Sequence, residues 1–189
     1  MKRIGILGGI GSGKSYVAKS FGYPVFNADK EVSKLYKNNK IVFNKLKKIL
    51  PKYFNKFPIK KHEVSNAILG KKNNLKNIVK IVHLEIRKKM NVFLNKHKNK
   101  KVVILDIPLL LENKINKKGD IFVFVQSKKS EIQKKLKKRK NFNRKLIDMF
   151  ENIQLPLDYK KKKSQFIIKN NFTKRSVNYG IKKILKEIE

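Results

Sequence analysis

No cysteine occurs among the 189 residues, so neither a disulfide framework nor a thiolate metal site is open to this chain. That fits a reducing cytosol and leaves any metal to oxygen or imidazole ligands. Carboxylates are scarce: 13 Asp and Glu stand against 49 Lys and Arg, a formal net charge of +36. Such a charge points to a polyanionic partner only if the cations are of the right kind. Here five of the 49 are Arg and 44 are Lys, whereas base-edge and phosphate-fork recognition favours Arg. The lysines run along the whole chain beside abundant Asn and Ile, as an AT-rich genome would encode. We therefore read the charge as solvated surface of mutational origin, with no specific nucleic-acid partner expected. Long apolar runs are missing too. The longest, Val102 to Leu111, contains Asp106 and Pro108 and falls short of the roughly 20 residues that a spanning helix needs. The opening apolar run is broken by Gly8, Gly9, Gly11 and Gly13, so no targeting segment is read there. A soluble, cytoplasmic protein is expected, and no internal repeat is visible.

What the chain does have is a series of short apolar strands alternating with helical patterns. Strands are expected at 3–7, 23–26, 101–106, 120–125 and 165–169, with a helix at 15–21 and a closing helix at 176–188 that aligns Val177, Ile181, Ile184, Leu185 and Ile188. Continuously apolar strands separated by helices imply a five-stranded parallel sheet covered on both sides. The stretch from Asp29 to Lys100 is about twice the roughly 30 residues of a βαβ unit. Its pattern, with Ile78, Val79, Val82, Ile86 and Met90 at helical spacing, reads as a helical insertion. Between Ser127 and Ser164, Ile132 and Leu136, then Leu146, Met149, Phe150 and Ile153, mark further helices that read as a small lid. Surface decoration is the alternative for both excursions.

The strongest signal is Gly8-Gly9-Ile10-Gly11-Ser12-Gly13-Lys14-Ser15, which meets the P-loop pattern at every fixed position. Phosphates need a ring of backbone N–H groups followed by a helix N-terminus, and glycine supplies the turns. Four of only nine glycines fall here, between an expected strand and an expected helix. Gly9 to Tyr16 are the expected ATP-binding residues, with Lys14 reaching the β- and γ-phosphates and the Ser15 hydroxyl on Mg²⁺. Asp106 ends the strand at 101–106, where a P-loop enzyme carries the carboxylate that holds the metal's water shell; the alternative is a polar strand cap. Asp29 follows the second strand, at the sheet's ligand-facing end, and could equally cap the next helix. Glu112 suits a helix start or an ion pair as well as catalysis. His83 and Arg87, four apart, share a helix face, as a site or as a surface feature.

Together these residues resemble the dephospho-coenzyme A kinases over nearly the whole chain. Ile4 to Ser15 looks like that family's P-loop, Asn27-Ala28-Asp29 resembles its Asp-Ala-Asp, and His83-Leu84-Glu85-Ile86-Arg87 its His-Pro-x-Ile-Arg. Asp106-Ile107-Pro108-Leu109-Leu110-Leu111-Glu112 is similar to its Asp-x-Pro-Leu-Leu-Phe-Glu. Leu136 to Arg139, Gln154 to Leu157 and Ile167 to Asn171 fit its lid and final strand.

The resemblance implies a three-layer α/β/α P-loop core at about 1–28, 98–127 and 165–189, an acceptor-binding helical insertion at about 29–97 and a lid at about 128–164. It implies ATP-dependent phosphorylation of the ribose 3′-hydroxyl of dephospho-coenzyme A, with Asp29 as base, Arg139 as a lid cation on ATP and Asn170 near the adenine; a monomer is expected over an oligomer. His83, Arg87, Pro108 and Leu109 would lie on the acceptor side. Departures are Leu7 and Tyr16 beside the loop, where Thr is common, Asn27 for the first Asp, Leu84 for Pro, and Phe150 for a lid Arg, which leaves Arg139 and Arg144 as cations. Within enzymes the rival is a nucleoside or nucleoside-monophosphate kinase; from another class it is a Lys-rich nucleic-acid-binding P-loop module.

Overall fold

The computed structural model describes residues 1–71, 73–139 and 142–188. Positions 72, 140, 141 and 189, which fall within the expected insertion, lid and core, lie outside the described residues. The chain divides into two compact units, one comprising Met1–Asn27, Lys96–Phe142 and Ile153–Glu189, the other Ala28–Asn95 and Asn143–Asn152.

The first unit is built on five parallel strands, β1 (Lys2–Leu7), β2 (Val25–Asn27), β3 (Val102–Asp106), β4 (Ile121–Gln126) and β5 (Phe166–Lys169), in the order β2-β3-β1-β4-β5. Its central strand, β1, pairs Ile4 with Ile104 on one side and with Ile121 on the other. Such a strand has no solvent face, which is why Ile4 to Leu7 and Val102 to Leu105 are buried without alternation. The second strand begins two residues later than its apolar pattern suggests. Pro24 has no N–H to give a ladder and contributes only its carbonyl, which accepts from Ile104 N at 2.9 Å.

Helices α1 (Lys14–Ser20) and α9 (Lys174–Ile188) cover one face of the sheet. Val17 and Ala18 from α1 and Val177, Ile181, Ile184 and Ile188 from α9 form one core with Ile4, Ile6, Val102, Ile104, Val123, Val125 and Ile168. On the opposite face Leu110, from the loop after β3, and Phe122 fill the space over Gly5, where a Cβ would meet Leu110 Cδ2 at 2.5 Å. At the N-terminal edge the Arg3 guanidinium makes two 2.9 Å contacts to the carboxylate of Asp120, which also accepts from Lys117 N. Burial pushes the Asp120 carboxyl above its usual range, against these partners. Helices α6 (Lys129–Lys137) and α8 (Leu157–Lys162) also belong to this unit.

The second unit is helical, with α2 (Ala28–Asn38), α3 (Lys40–Ile49), α4 (Lys61–Gly70), α5 (Asn74–Lys96) and α7 (Arg144–Glu151). Three of these starts have a local cause. Asn39 Oδ1 accepts from Val42 N at 2.9 Å to cap α3, Glu63 Oε2 accepts from Lys60 N at the start of α4, and Asn143 Oδ1 accepts from Leu146 N to cap α7. Helix α5 buries Leu75, Ile78, Val82, Ile86, Met90 and Leu94, the three- and four-residue spacing expected from the sequence. Among the described residues no helix is long and apolar enough to cross a membrane. The segment read as a lid is thus shared, α6 and α8 with the sheet and α7 with α2 to α5.

Candidate phosphate cradle and its surroundings

Leu7 closes β1 and Lys14 opens α1, and the six residues between them turn the chain over the end of the sheet. Gly11 and Gly13 have φ of +81° and +92°, in the left-handed region that an L side chain resists. Space forbids a side chain there as well. A Cβ on Gly13 would lie 2.4 Å from Asn170 Nδ2, and one on Gly11 would lie 2.9 Å from Ile132 Cγ2 on α6. The backbone at these two glycines is therefore left bare of side chains beside the start of α1, where a helix end favours an anion.

The loop's shape is held from outside. Ser12 O accepts from Ser127 Oγ, just after β4, and from Asn170 Nδ2, just after β5, each at 2.9 Å. Asn170 is 2% exposed; its N–H donates to Gln126 O at 2.8 Å and its Oδ1 accepts from Phe172 N at 2.8 Å. Sequence reasoning set Asn170 near the adenine; here both ends of its amide are engaged with the backbone of the loop and of the turn after β5. Ser127 was missed altogether. Nothing in the sequence distinguishes it, because its partner is a backbone carbonyl far upstream.

Lys14 Nζ donates to Gly8 O at 3.0 Å and Gly9 O at 2.8 Å, which keeps the ammonium over the loop. Ser15 and Tyr16 are exposed on the first turn of α1. Asn27 and Asp106 are register partners at the carboxyl ends of β2 and β3, and Asn27 Nδ2 donates to Asp106 Oδ2. Asp106 is 3% exposed, so an amide at position 27 spares it a second carboxylate at this contact. Pro108 and buried Leu109 follow directly. Among the described residues no group of three or more Asp, Glu or His could hold a metal by itself. A single hydroxyl and a single strand-end carboxylate do fit a Mg²⁺ whose remaining ligands are phosphate oxygens and water, which is how Mg²⁺ is usually held.

Arg139 is exposed just past the end of α6, its N–H donating to Leu136 O. In the second unit, Asp29 lies exposed in the first turn of α2. Arg144 pairs with Asp148 on the exposed surface of α7, an arrangement worth little in water. His83 is half-buried and Arg87 exposed, one turn apart on α5.

Burial, and secondarily the Arg87 charge, hold the His83 imidazole below its usual pKa. The unfolded chain therefore takes up a proton near pH 6.5 that the folded chain does not. Above that pH His83 adds no slope; below it, stability falls with pH until the folded imidazole itself titrates. Thermal unfolding of wild type and His83→Gln between pH 7.5 and 5.5 checks this: the acid-side loss should be shallower in the variant.

Comparison of the sequence with known proteins points to one family over nearly the whole chain. A family model described as dephospho-CoA kinase matches residues 2–175. A dephospho-CoA kinase of Wolbachia sp. subsp. Brugia malayi (strain TRS) is 32% identical, with 96% of this chain and 95% of the relative covered. That of Wolbachia pipientis wMel is 33% identical with the same coverage. Among solved structures, the crystal structure of TT1252 from Thermus thermophilus aligns with a TM-score of 0.79 at 25% identity, covering 100% of this chain and 98% of that one.

Proposed function

Because the chain belongs to the dephospho-CoA kinase family, we propose that it transfers the γ-phosphoryl group of ATP to the ribose 3′-hydroxyl of dephospho-coenzyme A through Lys14, Asp29 and Arg139. It is an ATP-dependent kinase of the last step of coenzyme A biosynthesis. The support in the molecule itself is the bare cradle of Gly8 to Gly13 at the N-terminus of α1, with the Lys14 ammonium held over it.

The phosphoryl group travels through a loose transition state, so alignment and charge neutralisation dominate. The N–H groups of the loop bind the phosphates, and Lys14 offsets charge on the β- and γ-groups. Ser15, and Asp106 through water, would hold Mg²⁺, which when bound would supply further charge neutralisation to the phosphates. Asp29 orients the 3′-hydroxyl and takes its proton. His83, Arg87, Pro108 and Leu109 bind the acceptor. Arg139 approaches the phosphates from a lid that excludes water, a competing acceptor. The enzyme works as a cytoplasmic monomer, with its lysines as solvated surface.

A nucleotide panel tests the substrate. ADP release should require dephospho-coenzyme A and should not be supported by AMP, CMP or adenosine. Turnover with AMP but not with dephospho-coenzyme A would instead assign a nucleoside-monophosphate kinase.

A further inference from the structure

Among the described residues one lysine differs from the others. Lys160 is 1% exposed, whereas the other described lysines are half-buried or exposed. Its Nζ lies 2.6 Å from Glu112 Oε1, itself mostly buried, and donates to Gln154 Oε1 at 3.2 Å. The same Glu112 oxygen accepts from Leu155 N at 3.0 Å. Glu112 sits in the loop after β3, whereas Gln154, Leu155 and Lys160 belong to the turn that leads into α8 and to α8 itself. Two of these contacts tie the segment 154–160 to the sheet's loop, and the third, between Lys160 and Gln154, closes the segment on itself. A buried charge is retained at a cost unless it is paired and hydrogen-bonded, so this junction is either complete or strongly unfavourable.

The turn that is held carries Leu157. Leu157 is 47% exposed. Its methyl carbons lie over Gly9: a Cβ built on Gly9 would be 3.4 Å from Cδ1 and 3.7 Å from Cδ2. Gly9 is also the residue whose carbonyl receives the Lys14 ammonium. The chain thus runs from a buried ion pair, through a short turn, to an apolar side chain resting on the phosphate loop.

We infer that the Glu112–Lys160 pair is a positioning device for the nucleotide site, holding Leu157 as a wall against Gly9 so that the loop keeps the shape that receives ATP. Glu112, Gln154 and Lys160 touch neither nucleotide nor acceptor; they act through Leu157. The inference rests on the loop being the ATP cradle, and wild-type ATP binding, measured in the same series, tests that reading separately.

The experiment compares wild type, Glu112→Gln, Glu112→Asp and Leu157→Ala by calorimetric Mg–ATP binding, by steady-state kinetics with ATP and dephospho-coenzyme A varied in turn, and by thermal unfolding. Leu157→Ala removes the wall without disturbing the pair, and its exposed position leaves the core intact. Glu112→Gln leaves the Lys160 charge buried without its counter-charge, whereas Glu112→Asp retains the charge. Leu157→Ala and Glu112→Gln should each raise the ATP dissociation constant about tenfold, with the acceptor KM at saturating ATP unchanged and Glu112→Asp intermediate. Should Glu112→Gln fail to fold, Glu112→Asp and Leu157→Ala carry the comparison. ATP affinity unchanged in Leu157→Ala, or a Glu112 variant that loses thermal stability while binding ATP as wild type does, overturns the inference. Wild-type protein that does not bind ATP overturns both it and the cradle.

Discussion

Asp29→Asn should fold, bind ATP with near wild-type affinity and turn over dephospho-coenzyme A roughly 10²–10⁴-fold more slowly, the range for loss of a general base. Shape is conserved by the substitution, and so is the capacity to cap the start of α2. Ser33 Oγ donates to the Asp29 carbonyl, and that bond is untouched. What disappears is a negative charge and a proton acceptor. A charge in the first turn of a helix is worth about 0.3–1 kcal/mol of stability, far less than the roughly 3–5 kcal/mol of barrier that the rate loss represents. Calorimetric nucleotide binding beside steady-state turnover separates these contributions. Full activity in the variant would remove Asp29 from the chemistry.

Lys14→Ala is the more severe change, with turnover lost by at least ~10³-fold and nucleotide affinity weakened. Removing one neutral donor from a preorganised site typically costs about 10²–10³ in turnover, and Lys14 contributes a full charge where negative charge concentrates on the β- and γ-phosphates. Lys14→Arg should not restore activity: a planar fork on a different stem cannot occupy the place of a compact ammonium held between Gly8 O and Gly9 O. Single-turnover measurement at saturating ATP distinguishes lost chemistry from lost binding. Near wild-type turnover in Lys14→Ala would mean that the glycine loop is not the catalytic cradle.

Those parts of the molecule whose cause is local could be read from the chain. The P-loop is eight consecutive residues, and β1, β3 and β4 are runs whose burial on both faces leaves a nearly unbroken apolar signature. Helix α9 shows its buried stripe in its own spacing. Elsewhere the cause is distant. Lys160 opens a run of four lysines, Lys160 to Lys163, and nothing in the run tells which one turns inward; only Glu112, from another part of the chain, selects it. Glu112 was open to an ion-pair role, but its partner was not legible. Periodicity in 144–153 marked an apolar helix face without saying what it would meet. The structure groups α7 with the helices of the second unit while its sequence neighbours α6 and α8 belong to the sheet. The resemblance set Asn170 near the adenine, and its bond to the Ser12 carbonyl was not legible because a backbone carbonyl leaves no side-chain partner to recognise.

The order of strands also dictates when the cradle can exist during synthesis. β1 is the first strand to be made, yet its two neighbours in the sheet are β3, which ends at Asp106, and β4, which ends at Gln126. At ribosomal speeds of about 5–20 residues per second, the first strand waits several seconds with both edges open. The glycine turn that follows it waits longer, since the Ser12 carbonyl acquires its second side-chain partner only when Asn170 has emerged. A nascent chain shorter than this should therefore bind nucleotide poorly although it already contains every residue of the motif, and the unpaired strand is the segment most in need of protection by a chaperone.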